Sequence, residues 1–339
     1  MSESKSVRWG VLGASNIAKK FVADARTVDG AEVVAVGARD LDRATAWATE
    51  NGIQTAYGSW EELAEAPDID VVYVSTVHAW HYAGAKLCLE NGKSVLVEKP
   101  FTVHLRDAED LVETARDKGL FLMEAMWTRC NPLNRELKAF VDRGDLGEVI
   151  QVQSNLGPSA GRNPRLWDLS VGGGILLECG VYPLAFAYQF LGAPERVVAA
   201  AHFAESGVDD QTSLLLEYAS GASASLTTSV SKGVTTPHHS FGDVIGTNGW
   251  ISVPSNAFFP EEYTIHLSGS SEPIHVERPK VGNGYTEEAA EVTRCIREGL
   301  TESPIVPLDD TLGSMRVIDA AYQQIGLTYP QTPSVAARV

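Results

Sequence analysis

Cysteine and long apolar runs are scarce in this sequence. Its 339 residues include 4 cysteines, which lie far apart and form no CxxC pair. This spacing argues against a disulfide framework and against a zinc knuckle. No segment approaches the ~20 consecutive apolar residues of a membrane-spanning helix, and residues 1–8 lack the apolar region of a signal peptide. We therefore expect one or two globular domains in a reducing cytoplasm, without a membrane span.

Basic residues are few as well. The chain carries 27 Lys and Arg against 44 Asp and Glu, a formal net charge of -17 at pH 7. Because nucleic-acid affinity depends on Lys and Arg that neutralise phosphates, DNA and RNA are poor partners. No His, Cys and Asp cluster has the spacing of metal ligands, so we expect no metal. An anionic small molecule needs a local group of positive charges, which makes individual arginines informative.

Residues 1–126 alternate short apolar strands with amphipathic helices. This βαβ alternation predicts an α/β dinucleotide-binding Rossmann domain with a doubly wound parallel sheet. The expected strands are 7–12, 32–38, 71–75, 94–97 and 121–123, and the expected helices are 17–25, 41–50, 60–65, 80–90 and 105–118.

Residues 127–330 follow a different pattern. A helix (133–142), a strand (149–155) and a glycine-led helix (173–190) precede a series of strands, expected at 196–204, 211–218, 223–230, 240–245, 250–254, 263–267 and 273–277. Short turns between strands favour antiparallel pairing, so we predict an α+β domain with a large, mainly antiparallel open sheet for substrate binding and oligomerisation. Helices 286–298 and 309–324 close the chain, and residues 330–339 are expected to be loose.

The first predicted strand leads into a glycine turn and a helix. In this context backbone amides and a helix N-terminus can bind a pyrophosphate. The turn reads Gly13-Ala14-Ser15-Asn16-Ile17-Ala18. Because Ser15 and Ala18 stand where the dinucleotide fingerprint has glycine, an ordinary βα turn remains an alternative.

Two arginines follow the second predicted strand. An NAD enzyme places an acidic residue there for the ribose 2′-hydroxyl. This chain instead has Arg39, and Arg43 comes one helical turn later, so both can reach a 2′-phosphate. NADP is therefore expected, while the nearby Asp40 keeps NAD possible and exposed surface charges remain the simpler alternative.

A lysine and a tyrosine are the candidate catalytic residues. Lys99 ends a parallel strand, at the edge where doubly wound folds bind ligands, and Pro100 biases it towards an extended conformation. Glu178 and Tyr182 are four residues apart, which predicts a shared helix face. A tyrosine near a cation can exchange protons. Singly, a surface lysine and a packed tyrosine would be the ordinary interpretations.

These strings together resemble the glucose–fructose oxidoreductase, inositol dehydrogenase and rhizopine-catabolism (Gfo/Idh/MocA) family, over nearly the whole chain. Within it they look most like dimeric dihydrodiol dehydrogenase and NADP-dependent xylose dehydrogenase. The matched strings are Val11 to Ala18, Glu98-Lys99-Pro100, Glu124 to Arg129, Gly172 to Leu184 and Ile245 to Ile251.

The resemblance implies a role for each matching residue. Lys99 should bond the reacting oxygen and make the hydroxyl of Tyr182, the general acid or base, more acidic, and Glu178 should assist. The implied cofactor contacts are Gly13, Ala14, Ser15, Asn16, Ile17, Arg39, Arg43, Ser75, Thr76, His81, Glu98, Lys99, Trp127 and Arg129. The implied substrate contacts are His78, Trp127, Trp167 and Tyr182.

Two departures from the family affect these roles. The family often has aspartate where this chain has Glu178, so the carboxylate has a longer reach. The family's Thr-Pro-Asn turn reads Thr76-Val77-His78 here, which leaves His78 open as a substrate ligand or a plain loop histidine.

We therefore expect an oxidoreductase that moves a hydride between NADP and a hydroxyl or carbonyl carbon of a sugar-like substrate. A trans-dihydrodiol dehydrogenase is the alternative enzyme, and a non-catalytic NAD(P)-binding regulator is the alternative of another class. Such a regulator would be expected to lose Lys99 or Tyr182, and this chain keeps both. By resemblance alone, a homo-oligomer is expected, most simply a dimer through the open sheet face.

Overall fold

The computed structural model describes residues 6–157, 163–230, 240–254 and 258–334. Contacts divide the chain into two compact units. The first comprises residues 1–127, 281–311 and 331–339, and the second comprises residues 128–280 and 312–330. This division differs from the predicted boundaries, because residues 281–311 were expected in the second domain.

The described strands and helices are numbered here in chain order. The strands are β1 (Val7–Leu12), β2 (Ala31–Gly37), β3 (Thr55–Tyr57), β4 (Val71–Val74), β5 (Ser94–Glu98), β6 (Leu122–Ala125), β7 (Val149–Leu156), β8 (Arg196–Phe203), β9 (Asp209–Glu217), β10 (Ser223–Ser229), β11 (Phe241–Gly246), β12 (Gly249–Val253), β13 (Glu262–Leu267) and β14 (Ile274–Glu277). The α-helices are α1 (Asn16–Ala25), α2 (Leu41–Glu50), α3 (Trp60–Glu65), α4 (His81–Glu90), α5 (Leu105–Lys118), α6 (Trp127–Cys130), α7 (Pro132–Asp142), α8 (Val181–Leu191), α9 (Thr286–Arg297) and α10 (Leu308–Ile325). Short 3₁₀ turns cover His78–Trp80, Pro164–Trp167 and Leu169–Val171, and a π-helical turn covers Leu176–Gly180.

The first unit contains a parallel sheet in the order β3-β2-β1-β4-β5-β6. This order is that of the doubly wound Rossmann fold, and it confirms the predicted α/β class. Strand β3 was not predicted, because its short run of partly exposed residues lacks an apolar pattern. Helices α1, α2 and α3 are capped at their N-termini by Ser15, Asp40 and Ser59. Each cap side chain accepts a hydrogen bond from a backbone amide in the first turn, which explains where the helices begin.

An aromatic stack forms much of the core beneath this sheet. The rings of Phe21 and Tyr73 stack at 4.0 Å, and Trp9 tilts against Phe21 at 5.3 Å. All three residues are fully buried. Helix α9 packs against α1 and β1, so the late segment of the chain completes this unit.

The second unit contains a sheet in the order β14-β13-β12-β11-β7-β10-β9-β8. Its pairs are antiparallel except β7 with β10, which is parallel and was not predicted. Helix α8 packs on β7 and β10 and covers one face. The predicted helix 173–190 is present, but its first part, Leu176–Gly180, is a π-helical turn that leads directly into α8.

One helical stretch, Leu169–Leu191, is long and apolar enough to cross a membrane by length and composition alone. It is also 78% buried inside the fold. A core helix of a globular protein has the same properties, so this stretch is only weak evidence for a membrane span.

Truncation of the central aromatic ring tests this account of the core. We expect Phe21→Ala to lower the free energy of unfolding by about 3–5 kcal/mol, because the cavity cannot close between two packed rings. The control is Phe203→Ala, since Phe203 is 36% exposed. Urea unfolding of both variants makes the comparison, and equal losses would contradict the assignment of Phe21 to the core.

Candidate active site

A tight turn after β1 forms the first part of the candidate site. Gly13 has φ 110°, and a Cβ there would lie 3.2 Å from the Ser75 carbonyl oxygen, so only glycine fits without strain. The buried hydroxyl of Ser75 donates to the Gly13 carbonyl at 3.0 Å. The ends of β1 and β4 are therefore held together.

The same turn starts helix α1. The Ser15 hydroxyl accepts from the amide of Ala18 at 3.1 Å and donates to the Ser75 hydroxyl at 3.2 Å. Ala14 and Ile17 are half-buried and Asn16 is exposed. A helix N-terminus presents amides without intrahelical partners, and these suit a phosphate. The predicted residues thus come together in a geometry that fits a dinucleotide.

Arg43 approaches this turn from α2. Its guanidinium donates to the Ala14 carbonyl at 3.3 Å. Asp40 caps α2 by accepting the amide of Arg43 at 2.8 Å, which occupies one oxygen of the acid that kept NAD possible. Arg39 follows β2 with an exposed side chain. A cation therefore stands at the turn, as a 2′-phosphate would require.

The end of β5 carries a buried glutamate and a half-buried lysine. The carboxylate of Glu98 accepts hydrogen bonds from the Tyr73 hydroxyl and, at 3.1 Å, from the backbone amide of Lys99. Burial raises the pKa of Glu98, while the charge of Lys99 and the Tyr73 hydrogen bond act in the opposite direction. The Lys99–Pro100 peptide bond is cis. A buried carboxyl group with two hydrogen-bond donors thus lies directly before the lysine at the strand end.

His81 has a different environment from the one expected. Its ring is fully buried, with Nδ1 2.8 Å from the Pro100 carbonyl and Nε2 3.2 Å from the Thr76 carbonyl. Burial, followed by the repulsion of His78, lowers the pKa of His81 to about 3, although hydrogen bonds to the two carbonyls favour the protonated ring. Both ring nitrogens thus face backbone carbonyls, one after β4 and one after β5. The role of His81 near a cofactor or substrate stays a prediction.

The loop after β4 keeps its other candidates partly accessible. Thr76 and His78 are half-buried, and the His78 ring lies 5.6 Å from that of His81. Tyr82, by contrast, donates its hydroxyl to Asp110 at 2.9 Å. Because His78 is half-buried, both of its predicted roles stay open, as a substrate ligand or as a plain loop histidine.

Trp127 is held in place by contacts that were not predicted from the sequence. Its ring stacks on Tyr285 at 4.9 Å and 11°. The carboxylate of Asp24 accepts from the amides of Asn283 and Tyr285, at 2.8 and 2.9 Å, and fixes the segment that carries Tyr285. No motif marks Asp24 or Tyr285, since their contacts join distant parts of the chain. Arg129 is half-buried in the short helix α6.

Glu178 and Tyr182 stand out by their exposure. From residue 172 to residue 189, every residue is buried except these two, which are half-buried. Glu178 lies in the π-helical turn and Tyr182 in the first turn of α8. Single π-helical turns often occur at functional sites. The two side chains are therefore accessible on a segment that is otherwise core.

A buried aspartate fixes the start of this segment. Asp209 accepts from the Leu176 amide at 2.9 Å and from the Thr212 hydroxyl at 2.6 Å. Gly174 has φ 117°, and a Cβ there would lie 2.3 Å from the Asp209 carboxylate. The Tyr329 hydroxyl donates to the Gly173 carbonyl at 2.5 Å. Gly173 and Gly174 thus allow Tyr329 and Asp209 to approach the backbone closely.

Tyr182 packs on an apolar cluster together with two other aromatic side chains. Trp167, Tyr182 and Phe258 pack on one apolar cluster, and the rings of Tyr182 and Phe258 are 5.4 Å apart. The Thr128 hydroxyl donates to the Phe258 carbonyl at 2.5 Å. Phe258 was missed because it lies in an irregular segment without a motif. This arrangement suits the face of a ring-shaped substrate.

Comparison with known proteins identifies the family of the chain. The model of the oxidoreductase family with an NAD-binding Rossmann fold matches residues 7–126, and that of the GFO/IDH/MocA C-terminal domain matches residues 134–252. A trans-1,2-dihydrobenzene-1,2-diol dehydrogenase of Xenopus tropicalis is 35% identical over 333 residues, which cover 96% of this chain and 100% of the relative.

Solved structures give the same result. A 3-ketoreductase from Actinomadura kijaniata, in complex with NADP and TDP-benzene, has a TM-score of 0.83 and 26% identity, covering 95% of this chain and 98% of the other. An aldose–aldose oxidoreductase from Caulobacter crescentus, complexed with glycerol, also has a TM-score of 0.83 and 26% identity, covering 94% and 97%. The chain therefore belongs to the Gfo/Idh/MocA family of oxidoreductases, with an NAD-binding Rossmann fold.

Proposed function

We propose that this protein is an NADP-dependent dehydrogenase or reductase that acts on a CH–OH group of a sugar-like substrate. The observation that carries the proposal is the accessible Tyr182, one of two half-buried side chains in a buried segment, in a chain that also keeps Lys99 at the end of β5. A non-catalytic regulator would not need both groups.

The proposed reaction divides the work between cofactor and protein. A nicotinamide nucleotide, when bound, accepts or supplies the hydride. During oxidation Tyr182, as the phenolate, takes the proton of the substrate hydroxyl, and Lys99 donates a hydrogen bond to the same oxygen. The C–H bond breaks with its electron pair leaving as hydride, and a carbonyl forms. Reduction reverses each step.

Electrostatics support the role of Lys99. In its ionised form Glu98 places a negative charge next to Lys99, which favours the ammonium form. An ammonium group stabilises the negative charge that develops on the reacting oxygen, which is the kind of contribution that lowers a reaction barrier most. Glu178 is proposed to assist from the π-helical turn, as a half-buried carboxylate four residues before Tyr182.

Arginine favours NADP over NAD in this proposal. Arg43 approaches the turn that would hold the pyrophosphate, and Asp40 uses a carboxylate oxygen to cap α2. Arg39 is exposed nearby and can share a 2′-phosphate. An acid free to bind a 2′-hydroxyl would favour NAD instead.

A trans-dihydrodiol dehydrogenase is the second candidate. The relative of that name is more similar in sequence, at 35% identity against 26% for the aldose–aldose oxidoreductase. Trp167 and Phe258 suit an aromatic diol as well as a sugar face. A screen of sugars, polyols and trans-diols with NADP⁺ and NAD⁺, followed by the absorbance of reduced nicotinamide, separates the two candidates.

Removal of either reacting group tests the mechanism. We expect Lys99→Met and Tyr182→Phe each to lower kcat by roughly 100- to 10,000-fold, because the proton transfer loses its partner. Cofactor affinity should change little, and fluorescence titration with NADPH measures it. The matched controls are Lys86→Met and Tyr82→Phe. The Lys86 ammonium forms an ion pair with Asp110, and the Tyr82 hydroxyl donates a hydrogen bond to the same carboxylate. Near-normal kcat in either site variant would refute the roles.

The cofactor choice has its own test. We expect Arg43→Ala to weaken NADPH binding by roughly 10- to 100-fold, the value of a charged hydrogen bond, and to leave NADH binding nearly unchanged. Arg26→Ala is the control, because Arg26 is an exposed arginine that bonds to the Gly52 carbonyl at 2.9 Å. Equal losses for both nucleotides would mean that Arg43 does not read the 2′-phosphate.

A homodimer through the open sheet face is also proposed. Val198 and Leu215 are register neighbours on β8 and β9, exposed to 37% and 42%, and Trp250 on β12 is exposed to 42%. Exposed apolar side chains on one sheet face are typical of an association surface.

Charge on this face should prevent association. We expect Leu215→Glu with Trp250→Glu to convert a dimer into a monomer in light scattering after gel filtration, because two acidic groups would be buried without partners. Val281→Glu is the control, at a residue that is 61% exposed in the first unit. An unchanged mass for the double variant would place the interface elsewhere.

A further inference from the structure

Glu288 of helix α9 is a fully buried carboxyl group. Among the residues that the structure describes, neither of its carboxyl oxygens has a hydrogen-bond partner. An ionised carboxylate without a partner is very costly in a protein interior, and such a group takes up a proton instead. Glu288 is not a core residue by chemistry, so its presence needs an explanation.

Glu98 has the opposite hydrogen-bonding pattern. It accepts from the Tyr73 hydroxyl and from the Lys99 amide, and both bonds favour the ionised form. The Tyr73 hydroxyl donates to Glu98. Burial, and then the charges of Glu98 and Glu288, raise the pKa of Tyr73. The titratable groups that act on Glu98 and Glu288 come from several elements: Asp24, Tyr73, His78, Lys99 and Glu287, with Tyr285 acting on Tyr73.

The surrounding charges separate the two acids. Burial, then the negative charges of Glu98, Glu287 and Asp24, raises the pKa of Glu288 well above its usual value. Burial also raises the pKa of Glu98, but Lys99 and the two hydrogen bonds oppose the rise. Of the two groups, Glu288, which is fully buried and without a hydrogen-bond partner in the described part of the chain, is therefore the one that holds a proton.

We propose that Glu98 and Glu288 are two buried carboxyl groups in different protonation states, in which Glu288 holds a proton and Glu98 supplies the negative charge beside Lys99. Glu288 is then a positioning residue. A protonated Glu288 carries no charge and therefore does not repel the carboxylate of Glu98. Glu98 can then stay ionised, and its negative charge keeps Lys99 in the ammonium form. The consequence for Lys99 rests on the proposed function, whereas the location of the proton does not.

Stability as a function of pH tests the location of the proton. The folded protein holds the proton of Glu288 above the pH at which the unfolded chain releases it, so this group costs stability as pH rises from about 4. Glu288→Gln removes this pH-dependent loss of stability, because glutamine has nearly the shape of protonated glutamate and cannot ionise. We expect its Tm to match the wild type near pH 4.5 and to exceed it by about 3 °C or more at pH 8.

Glu291, on the same helix, is the matched control. It pairs with Arg294 at 2.8 Å and accepts from Ser303 at 2.6 Å. Arg294 and Ser303 overcome burial and lower the pKa of Glu291, so its contribution to stability is present at neutral pH and lost in acid. Glu291→Gln should therefore lower Tm at pH 8 and have little effect near pH 4.5. The same loss at pH 8 in Glu288→Gln would overturn the proposal.

Infrared spectroscopy keeps the proposal testable if Glu288→Gln does not fold. We expect wild-type protein at pH 7 to show the C=O stretch of a protonated carboxyl, sensitive to H/D exchange. Glu291→Gln should retain this band. Its absence from the wild type would overturn the proposal.

Activity then separates the two acids. In the pH profile of kcat/KM, we expect Glu98→Gln to move the alkaline limb to lower pH and to do so further than Glu288→Gln, because only Glu98 carries the charge that favours the ammonium. The reverse order would assign the charge to Glu288. Absence of all turnover in wild type would refute the proposed function, while the stability and infrared results would still locate the proton.

Discussion

The junction of β1 and β4 at the carboxyl edge of the parallel sheet is the constraint on which the site depends. The Ser75 hydroxyl donates to the Gly13 carbonyl at 3.0 Å, and Gly13 has φ 110°, which residues with a side chain rarely adopt. This junction sets where α1 begins, and therefore where its first amides point. Parallel strands bring their carboxyl ends to one edge, so the phosphate turn, the loop with His78 and the strand end with Lys99 all belong to that edge.

Buried charge is the second organising feature. Glu98 is ionisable, buried and close to Lys99, and it is bonded to Tyr73 from the central aromatic stack. The core of the first unit and the chemistry of the lysine are thereby connected. His81 contributes in another way, since its buried ring lies between a backbone carbonyl after β4 and one after β5. Both residues act by holding others in place.

The sequence predicted those features that depend on local pattern or on strand polarity. The phosphate turn, Arg43 beside it and Lys99 at a strand end follow from βα alternation. Features that depend on distant contacts were missed: Asp24 with Asn283, 259 residues apart, the parallel pair of β7 and β10, and the burial of His81. The π-helical turn was missed because its backbone register has no signature in side-chain pattern. Glu178 and Tyr182 were identified, but from resemblance and spacing.

A crystal structure of the protein with bound NADP tests the central claim most directly. The account predicts the pyrophosphate against the amides of the turn from Gly13 to Asn16, with the 2′-phosphate within hydrogen-bond distance of Arg43 and the reactive carbon of the nicotinamide near Lys99. A nucleotide bound elsewhere, or one whose 2′-phosphate points into solvent and whose nicotinamide lies away from Lys99, would contradict it.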